Sequence, residues 1–175
     1  MDALRYHYTN SFKYRKSLQN IFSDVLGLHF IDYLSIADLT ATTVTIYSSE
    51  PALEANLVES GLIKHDRIYT NKHPDNLLLI WDNYYHEKTD EIRQIKTLSN
   101  KFQFGFSIFH TDNQLYSFAT KNNMENAVQY YSDRLDDLYV IGKHCYKQLK
   151  DRKILEQPET AKILSFKHKE QKQYV

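Results

Sequence analysis

This chain of 175 residues contains little glycine, proline or cysteine, and neither sign of charge is in excess. With only 4 glycines and 3 prolines, we expect few long flexible loops. No glycine spacing matches a phosphate-binding loop or a dinucleotide-binding turn. The single cysteine, Cys145, excludes an intramolecular disulfide and a cysteine-based zinc cluster. These scarcities favour a reducing compartment and disfavour nucleotide and structural-zinc chemistry.

Neither sign of charge predominates, since Lys and Arg together number 22 and Asp and Glu together number 22. A broad basic face for nucleic acid is therefore disfavoured. No apolar run reaches the length of a membrane span, and the N-terminal segment has no apolar signal-peptide region. We expect a cytoplasmic, soluble protein with one domain, residues 1–157, followed by a polar, lysine-rich tail or linker, residues 158–175.

Tyrosine is abundant, with 14 residues. The simpler interpretation is that these rings are half-buried parts of an ordinary core. The alternative is a binding cavity lined by rings that offer both a flat face and a hydroxyl group. Composition alone leaves both open.

Hydrophobic periodicity predicts the element order α-β-β-α-β-α-β-β-α. The helices are expected from Asn10 or Ser11 to Gly27, from Pro51 to Gly61, over residues 87–102, and from Met124 to about Lys150. The strands are expected as a pair within residues 28–49, a buried central strand at 77–81, and a hairpin at 104–119 turning at 111–114. This order predicts an α/β (α+β) fold: an α/β/α sandwich around a five-stranded antiparallel sheet, as in PAS-like sensor domains.

The last predicted helix carries an apolar stripe that allows two interpretations. Its members are Val128, Tyr131, Leu135, Leu138, Gly142, Cys145 and Leu149. Spacings of three and four suit a helix that lies across a sheet, and they also suit a dimer seam. The first interpretation is favoured.

Signatures of catalysis are mostly missing from the sequence. There is no G-x-S-x-G elbow and no H-E-x-x-H zinc motif. His110 and Asp112 could form an acid–base pair in a small hydrolase, but both fall in a predicted turn. Cys145 follows His144, and adjacent helical residues point about 100° apart, so Cys145 is expected in the core. We therefore predict a protein that is not an enzyme and that needs no metal or cofactor.

Asp66 and Trp81 are the most informative pair in the sequence. Asp66 follows a predicted helix stop, and Trp81, the only tryptophan, ends a predicted strand. A carboxylate at the rim of an apolar pocket accepts a hydrogen bond from a ligand amide, and an indole beside it supplies flat contact area. The competing interpretation is a surface aspartate and a core tryptophan with no shared role.

The element order, with Asp66, then Trp81, then the glycine of "FQFGFSIF", resembles the autoinducer-binding domain of LuxR-type transcription regulators. The resemblance covers residues 10–150. It implies that Asp66 accepts a hydrogen bond from the amide of an acyl-homoserine lactone and that Trp81 packs beside the lactone. It also implies a structural role for Gly105, at the start of the hairpin, and dimer contacts from the last helix.

Two departures from the family pattern change the expected ligand and effector. The positions of the family's Trp and Tyr donors fall near Leu53 and Leu57, which cannot donate, and Arg67 replaces the proline that follows the aspartate. Unpaired ligand carbonyls would weaken lactone binding, so an apolar or amphipathic signal molecule is expected instead. The family's helix-turn-helix domain, which binds DNA, is not included in this chain.

We therefore expect a signal-sensing domain whose pocket is anchored by Asp66. Its lining is expected to comprise Tyr33, Tyr47, Leu53, Leu57, Tyr69, Trp81 and Phe106. The expected partners are a small-molecule signal and a second chain, in a homodimer or in a heterodimer with a full-length regulator, with no membrane. The rival expectation is a ligand-free dimerisation module that modulates such a regulator.

Overall fold

A computed structural model describes residues 5–8, 12–69, 73–74, 76–110 and 113–155. Its strands are β1 (Arg5–Tyr8), β2 (Tyr33–Leu39), β3 (Thr43–Ser48), β4 (Leu78–Ile80), β5 (Phe104–His110) and β6 (Gln114–Thr120). Its helices are α1 (Phe12–Ser23), α2 (Pro51–Glu59), α3 (Thr89–Arg93), α4 (Ala127–Ser132) and α5 (Leu135–Asp151). Among these residues, no helix combines the length and the apolar character needed to cross a membrane.

The six strands form one sheet in the order β1-β3-β2-β6-β5-β4. The five strands from β2 to β6 pair antiparallel, which confirms the predicted α+β class and the five-stranded antiparallel sheet. The prediction missed β1, which adds a sixth strand parallel to β3 at one edge. It also placed the "LLLI" strand at the centre, whereas β4 is a three-residue strand at the opposite edge.

Helices cover both faces of this sheet. Side chains along each strand alternate between the faces, and both faces carry apolar side chains that need to be buried. The first face packs against α1, α4 and α5, and its buried core includes Phe22, Leu34, Ile36, Tyr47, Phe106, Ile108, Tyr116, Phe118, Tyr131, Leu138 and Leu149. The second face packs against α2 and α3, and its buried core includes Tyr33, Val44, Ile46, Leu53, Leu57, Tyr69, Leu79, Trp81, Ile92 and Phe102. The chain therefore has two separate cores, one on each side of the sheet.

Pro51 and Gly61 start and end α2 as predicted, whereas α1 ends at Ser23, before the predicted helix end at Gly27, which instead precedes the 3-10 turn Leu28–Phe30. Gly27 and Gly61 adopt positive φ angles of 93° and 73°, a conformation that glycine reaches at low cost. Pro51 begins α2 at its first turn, where a missing N–H costs no hydrogen bond. The predicted cap at Asn10 or Ser11, the turn residues 111–112 and the tail 158–175 lie outside the described residues.

The predicted C-terminal helix is in fact two helices, α4 and α5, with a break at Asp133 and Arg134. Because of this break, Val128 leaves the predicted stripe and is 47% exposed. The rest of the stripe packs within the chain: Leu138, Cys145 and Leu149 lie in the first-face core. The stripe thus lies across the sheet, and the part on α5 cannot also serve as a dimer seam.

Two further departures change local side-chain placement. Phe30, predicted in a strand, lies in a short 3-10 turn before β2 and is 52% exposed.

The predicted helix over 87–102 begins as α3 and continues as a π-turn over Gln94–Leu98. Ser99 N–H donates to the Gln94 carbonyl at 2.9 Å, a five-residue step that defines the π geometry. Leu98, predicted on the apolar side, is consequently 57% exposed.

Candidate functional site

Asp66 is fixed in place by the backbone on both sides of it. The segment around Asp66 pairs with that around Tyr85 through an isolated antiparallel bridge. The Arg67 N–H donates to the Tyr84 carbonyl and the His86 N–H donates to the His65 carbonyl, each at 2.9 Å. The Asp66 Oδ1 accepts from the Ile68 N–H at 3.2 Å. The carboxylate is fully buried, at 0% exposure, so it must find polar partners inside the protein.

Trp81 lies flat on the second face of the sheet, directly over Gly105. A Cβ atom at Gly105 would come within 2.1 Å of the indole, so only a glycine leaves room for the ring. The indole Nε1–H donates to the Ser107 Oγ at 2.9 Å. The structural role expected for Gly105 is thus explained by its contact with Trp81.

Lys96 occupies the space between Asp66 and Trp81. Its Nζ donates to the Asp66 Oδ2 at 2.7 Å, and both side chains are buried, with 2% and 0% exposure. The same Nζ lies 4.0 Å from the centre of the Trp81 ring, 5.4 Å from that of Tyr85 and 5.8 Å from that of Tyr69. A charge-assisted hydrogen bond and ring faces together compensate for the loss of water around this ammonium group.

A second buried carboxyl group, Glu54, descends from α2 toward the same face. The Tyr33 hydroxyl donates a hydrogen bond to its Oε1, while its Oε2 meets no hydrogen-bond partner among the residues that the structure describes. Burial raises the pKa of the Glu54 carboxyl, which favours the protonated form. The pKa of Tyr33 is raised well above its usual value by burial and by the neighbouring Glu54. Glu54 is therefore a buried polar group with spare hydrogen-bonding capacity.

Four buried serines form a row across the second face beneath these side chains. In strand register, Ser48 on β3 lies opposite Ser35 on β2, Ser35 opposite Ser117 on β6, and Ser117 opposite Ser107 on β5. The hydroxyls of Ser107 and Ser117 are 2.6 Å apart, whereas the Ser35 Oγ has no hydrogen-bond partner within the described part of the chain. Small hydroxyl side chains at these positions give the floor of the site a polar character.

The structure brings together most of the residues predicted for the pocket. Asp66, Tyr33, Leu53, Leu57, Tyr69 and Trp81 are all buried on the second face or in the elements that cover it. The rings of Tyr33 and Trp81 meet edge to face, with centroids 5.7 Å apart.

Tyr47 and Phe106 do not belong with that group. Both lie in the first-face core, across the sheet from Trp81. Strand alternation explains the error: Phe106 stands between Gly105 and Ser107, which face Trp81, and Tyr47 adjoins Ser48 on β3. These two residues must be removed from the predicted pocket lining.

Sequence reasoning also missed the two most polar residues of the site, Lys96 and Glu54. Lys96 lies four residues after Ile92, on the side of the helix that faces the sheet, so its position carried a usable signal. Glu54 directly follows Leu53, and neither periodicity nor composition separates it from a solvated glutamate. The site thus contains a carboxyl group and an ammonium group from positions other than Leu53 and Leu57.

The arrangement is suited to binding and ion pairing. Within the described residues, no group of three or more His, Cys, Asp or Glu side chains is placed to hold a metal ion. His110 lies elsewhere, in an open cleft of about 420 Å³ that it shares with Asn76, Asp136, Tyr139, Val140 and Lys143. Asp112, its predicted catalytic partner, lies outside the described residues.

Comparison with known proteins adds no family assignment. No protein-family model matches the chain, and no curated protein is similar enough to count as a match.

Proposed function

We propose that this chain is a signal-sensing domain of the kind found in LuxR-type transcription regulators, built on a PAS-like α/β/α sandwich. The single observation that carries the proposal is the convergence of Asp66 and Trp81 on one buried face. The resemblance in sequence requires these two residues to share a site, although 15 positions separate them along the chain. Lys96, in contact with both, defines the space that they share.

The signal molecule is proposed to be small and amphipathic, and to differ from an acyl-homoserine lactone. Leu53 and Leu57 offer no donors for the two carbonyl groups of the lactone. Leaving a carbonyl unpaired in a buried site costs about 1–3 kcal/mol. The serine floor, Tyr33 and Glu54 favour a ligand with hydrogen-bonding groups of its own. Trp81 and Tyr69 provide flat apolar contact for the rest of such a ligand.

Ligand binding is proposed to alter association with a second chain, either another copy or a full-length regulator that carries the helix-turn-helix domain. A ligand shifts such an equilibrium only through different affinities for the two states. Because the α5 stripe is buried against the sheet, the contact surface must lie elsewhere on the domain. DNA recognition would then reside in a domain outside this chain.

Trp81 provides the test, because the only tryptophan of the chain lies inside the proposed site. Native mass spectrometry of freshly purified protein should reveal a retained small molecule. Adding that compound to stripped protein should change the Trp81 emission in a saturable manner. Asp66→Asn should weaken this response, whereas Asp82→Asn, an exposed control, should not. Protein that retains no compound and shows no saturable change with candidate signals would contradict the proposal.

The second candidate function is a ligand-free module that modulates a full-length regulator by heterodimerisation. The observation in its favour is that Lys96 already satisfies the Asp66 carboxylate from within the chain. Under this alternative the second face is an ordinary, if polar, core. It predicts a compound-free protein that nevertheless forms a stable complex with its partner chain.

A further inference from the structure

The ammonium group of Lys96 is held by four side chains from two segments, residues 66–69 and 81–85. Asp66 supplies the negative charge at 2.7 Å. The rings of Trp81, Tyr85 and Tyr69 lie 4.0, 5.4 and 5.8 Å from the same nitrogen. We call these four residues the ammonium box. Aromatic faces around a cation, closed by a carboxylate, are the arrangement by which proteins recognise alkylammonium groups of ligands.

The walls of the box have contacts of their own besides those to Lys96. The Asp66 and Tyr85 segments are joined by their own backbone bridge, and Trp81 is seated on Gly105 with its N–H bonded to Ser107. Lys96 enters from α3 and its π-turn, a different segment. The box therefore recognises an ammonium group, and nothing in its walls requires that group to be attached to this chain.

The segment that delivers Lys96 has an irregular geometry. The π-turn is closed by a five-residue hydrogen bond from the Ser99 N–H to the Gln94 carbonyl at 2.9 Å, and a second such bond, from Phe102 to Thr97 at 3.0 Å, follows it. A π-turn holds one residue more than the corresponding α-helical turn, and such turns occur frequently at functional sites. Converting it to α-helix rotates the flanking residues by about 100° and would take Lys96 out of the box.

We propose that the ammonium box is a binding site for an organic ammonium group of a ligand, and that Lys96 is the occupant that such a ligand replaces. This inference rests on the proposed sensing function and specifies its ligand class as organic amines in their protonated form. Displacement of Lys96 would let the π-turn convert, which links occupancy of the box to the shape of α3. The free ammonium of Lys96 then moves to solvent.

The decisive variant is Lys96→Ala, which empties the box but keeps its four walls. n-Propylammonium replaces the atoms that this substitution removes, and propan-1-ol has the same number of heavy atoms without the charge. Thermal unfolding and Trp81 emission of the variant are measured with each compound at matched ionic strength. We expect n-propylammonium to raise the unfolding temperature and to shift the emission saturably, whereas propan-1-ol should do neither.

Two further variants define the specificity of this response. Asp66→Asn combined with Lys96→Ala keeps the rings and removes the carboxylate, so ammonium affinity should fall at least about tenfold. Lys88→Ala removes an exposed lysine that pairs with Glu91, and it should leave the box filled and the protein unresponsive to low n-propylammonium. If Lys96→Ala does not fold alone, refolding from denaturant with each compound replaces the titration, and recovery with n-propylammonium only would support the proposal.

Unmodified protein tests the displacement itself. Because the tethered Lys96 competes at high effective concentration, longer primary ammonium compounds should shift the Trp81 emission only at concentrations well above those that saturate Lys96→Ala. Equal responses of Lys96→Ala to n-propylammonium and propan-1-ol would overturn the ammonium box, while the sensing proposal would survive if a neutral compound is retained. Ammonium binding by Lys96→Ala with no response of unmodified protein at any concentration would overturn displacement. If the purified protein also retains no compound, the sensing function fails as well.

Discussion

The two faces of the sheet use the same packing device for different purposes. On the second face Trp81 lies on Gly105, and on the first face Tyr116 lies against Gly142 of α5. In both places a glycine lets an aromatic ring approach the backbone more closely than any other residue would allow. On the second face this contact holds Trp81 against the start of β5, and on the first face it holds α5 against the sheet.

What surrounds each ring differs sharply. Among the described residues, all three buried ionisable side chains of Asp, Glu and Lys type, Glu54, Asp66 and Lys96, lie on the second face. The first face is mainly hydrocarbon, and its tyrosine hydroxyls use neutral acceptors, as when Tyr131 donates to the His29 carbonyl at 3.1 Å. Buried ion pairs are weak evidence for stability, because desolvation offsets much of their attraction. The comparison teaches that apolar packing on the first face stabilises the domain, while the polar content of the second face adds little stability and is compatible with the proposed sensing role.

Lys96→Met should produce the largest effect, because it leaves the buried Asp66 carboxylate without a cation. We expect the free energy of unfolding to fall by about 3–5 kcal/mol, measured by urea denaturation. Adding Asp66→Asn to the same chain should recover much of this loss, since the uncompensated charge is then removed. Lys88→Met, at an exposed lysine, serves as the control and should cost little. A similar loss from both lysine variants would show that the second face does not depend on its ion pair.

Gly105→Ala and Gly142→Ala compare the two packing devices directly. The added Cβ would meet the Trp81 ring at 2.1 Å in one variant and the Tyr116 ring at 2.3 Å in the other. Overpacking of this kind costs about 1–3 kcal/mol, and we expect both variants to lose stability by that order. Only Gly105→Ala should also change the Trp81 emission. A changed emission in Gly142→Ala would mean that the two faces are coupled through the sheet.

Glu54→Gln should alter how stability depends on pH. Burial raises the pKa of Glu54 above its ordinary value of 4.5, so the folded protein holds this proton more tightly than the unfolded chain. The stabilisation from that proton is complete below 4.5 and is lost as the pH rises through the raised pKa. The neutral variant should therefore gain stability relative to the unmodified protein across that window, by about 1 kcal/mol at its upper end.

Parallel denaturation curves over pH for Glu54→Gln, the unmodified protein and the exposed control Glu125→Gln measure this effect. The difference between Glu54→Gln and the unmodified protein should widen as the pH rises, whereas Glu125→Gln should follow the unmodified protein. A constant difference would mean that the pKa of Glu54 is the same in the folded and unfolded states, and would contradict the prediction.

The smallest expected effect is the reaction of Cys145 with a thiol reagent, which tests whether the first-face core stays closed. Burial raises the pKa of its thiol to about 12, and the side chain is fully enclosed. Because the thiolate is the reactive form, we expect no reaction with a thiol reagent in the folded state and full reaction in denaturant. Rapid labelling without denaturant would show that α5 opens from the sheet far more readily than its packing suggests.

Local signals in the sequence were sufficient for much of the fold. Gly61 and Pro51 bound α2 as predicted, and alternation located the β5–β6 hairpin. The short β1 was missed because four residues show too little periodicity, and its pairing with β3 is set by tertiary contact. The edge position of β4 was likewise invisible, since an apolar run of this length suits a central strand equally well.

Only part of the candidate site could be predicted from the sequence, for a related reason. Asp66 and Trp81 could be linked through a resemblance, but Tyr47 and Phe106 were assigned to the wrong face, because the face depends on strand register. Lys96 could not be chosen on composition, since a lysine is usually solvated and only its approach to Asp66 makes burial tolerable. The burial of a charged residue can be predicted only when the residue that pairs with it is known.

The pairing of β2 with β6 has a further consequence, for the order in which the chain assembles. Tyr33 on β2 lies opposite Ala119 on β6, so this pairing closes a long loop that contains Glu54, Asp66 and Lys96. Long-range pairing of this kind slows folding, because the entropy of loop closure is lost before the contacts form. We expect these polar side chains to lose their water only after the loop has closed, on the native side of the folding barrier. Substitutions at Lys96 should then accelerate unfolding and leave the folding rate almost unchanged.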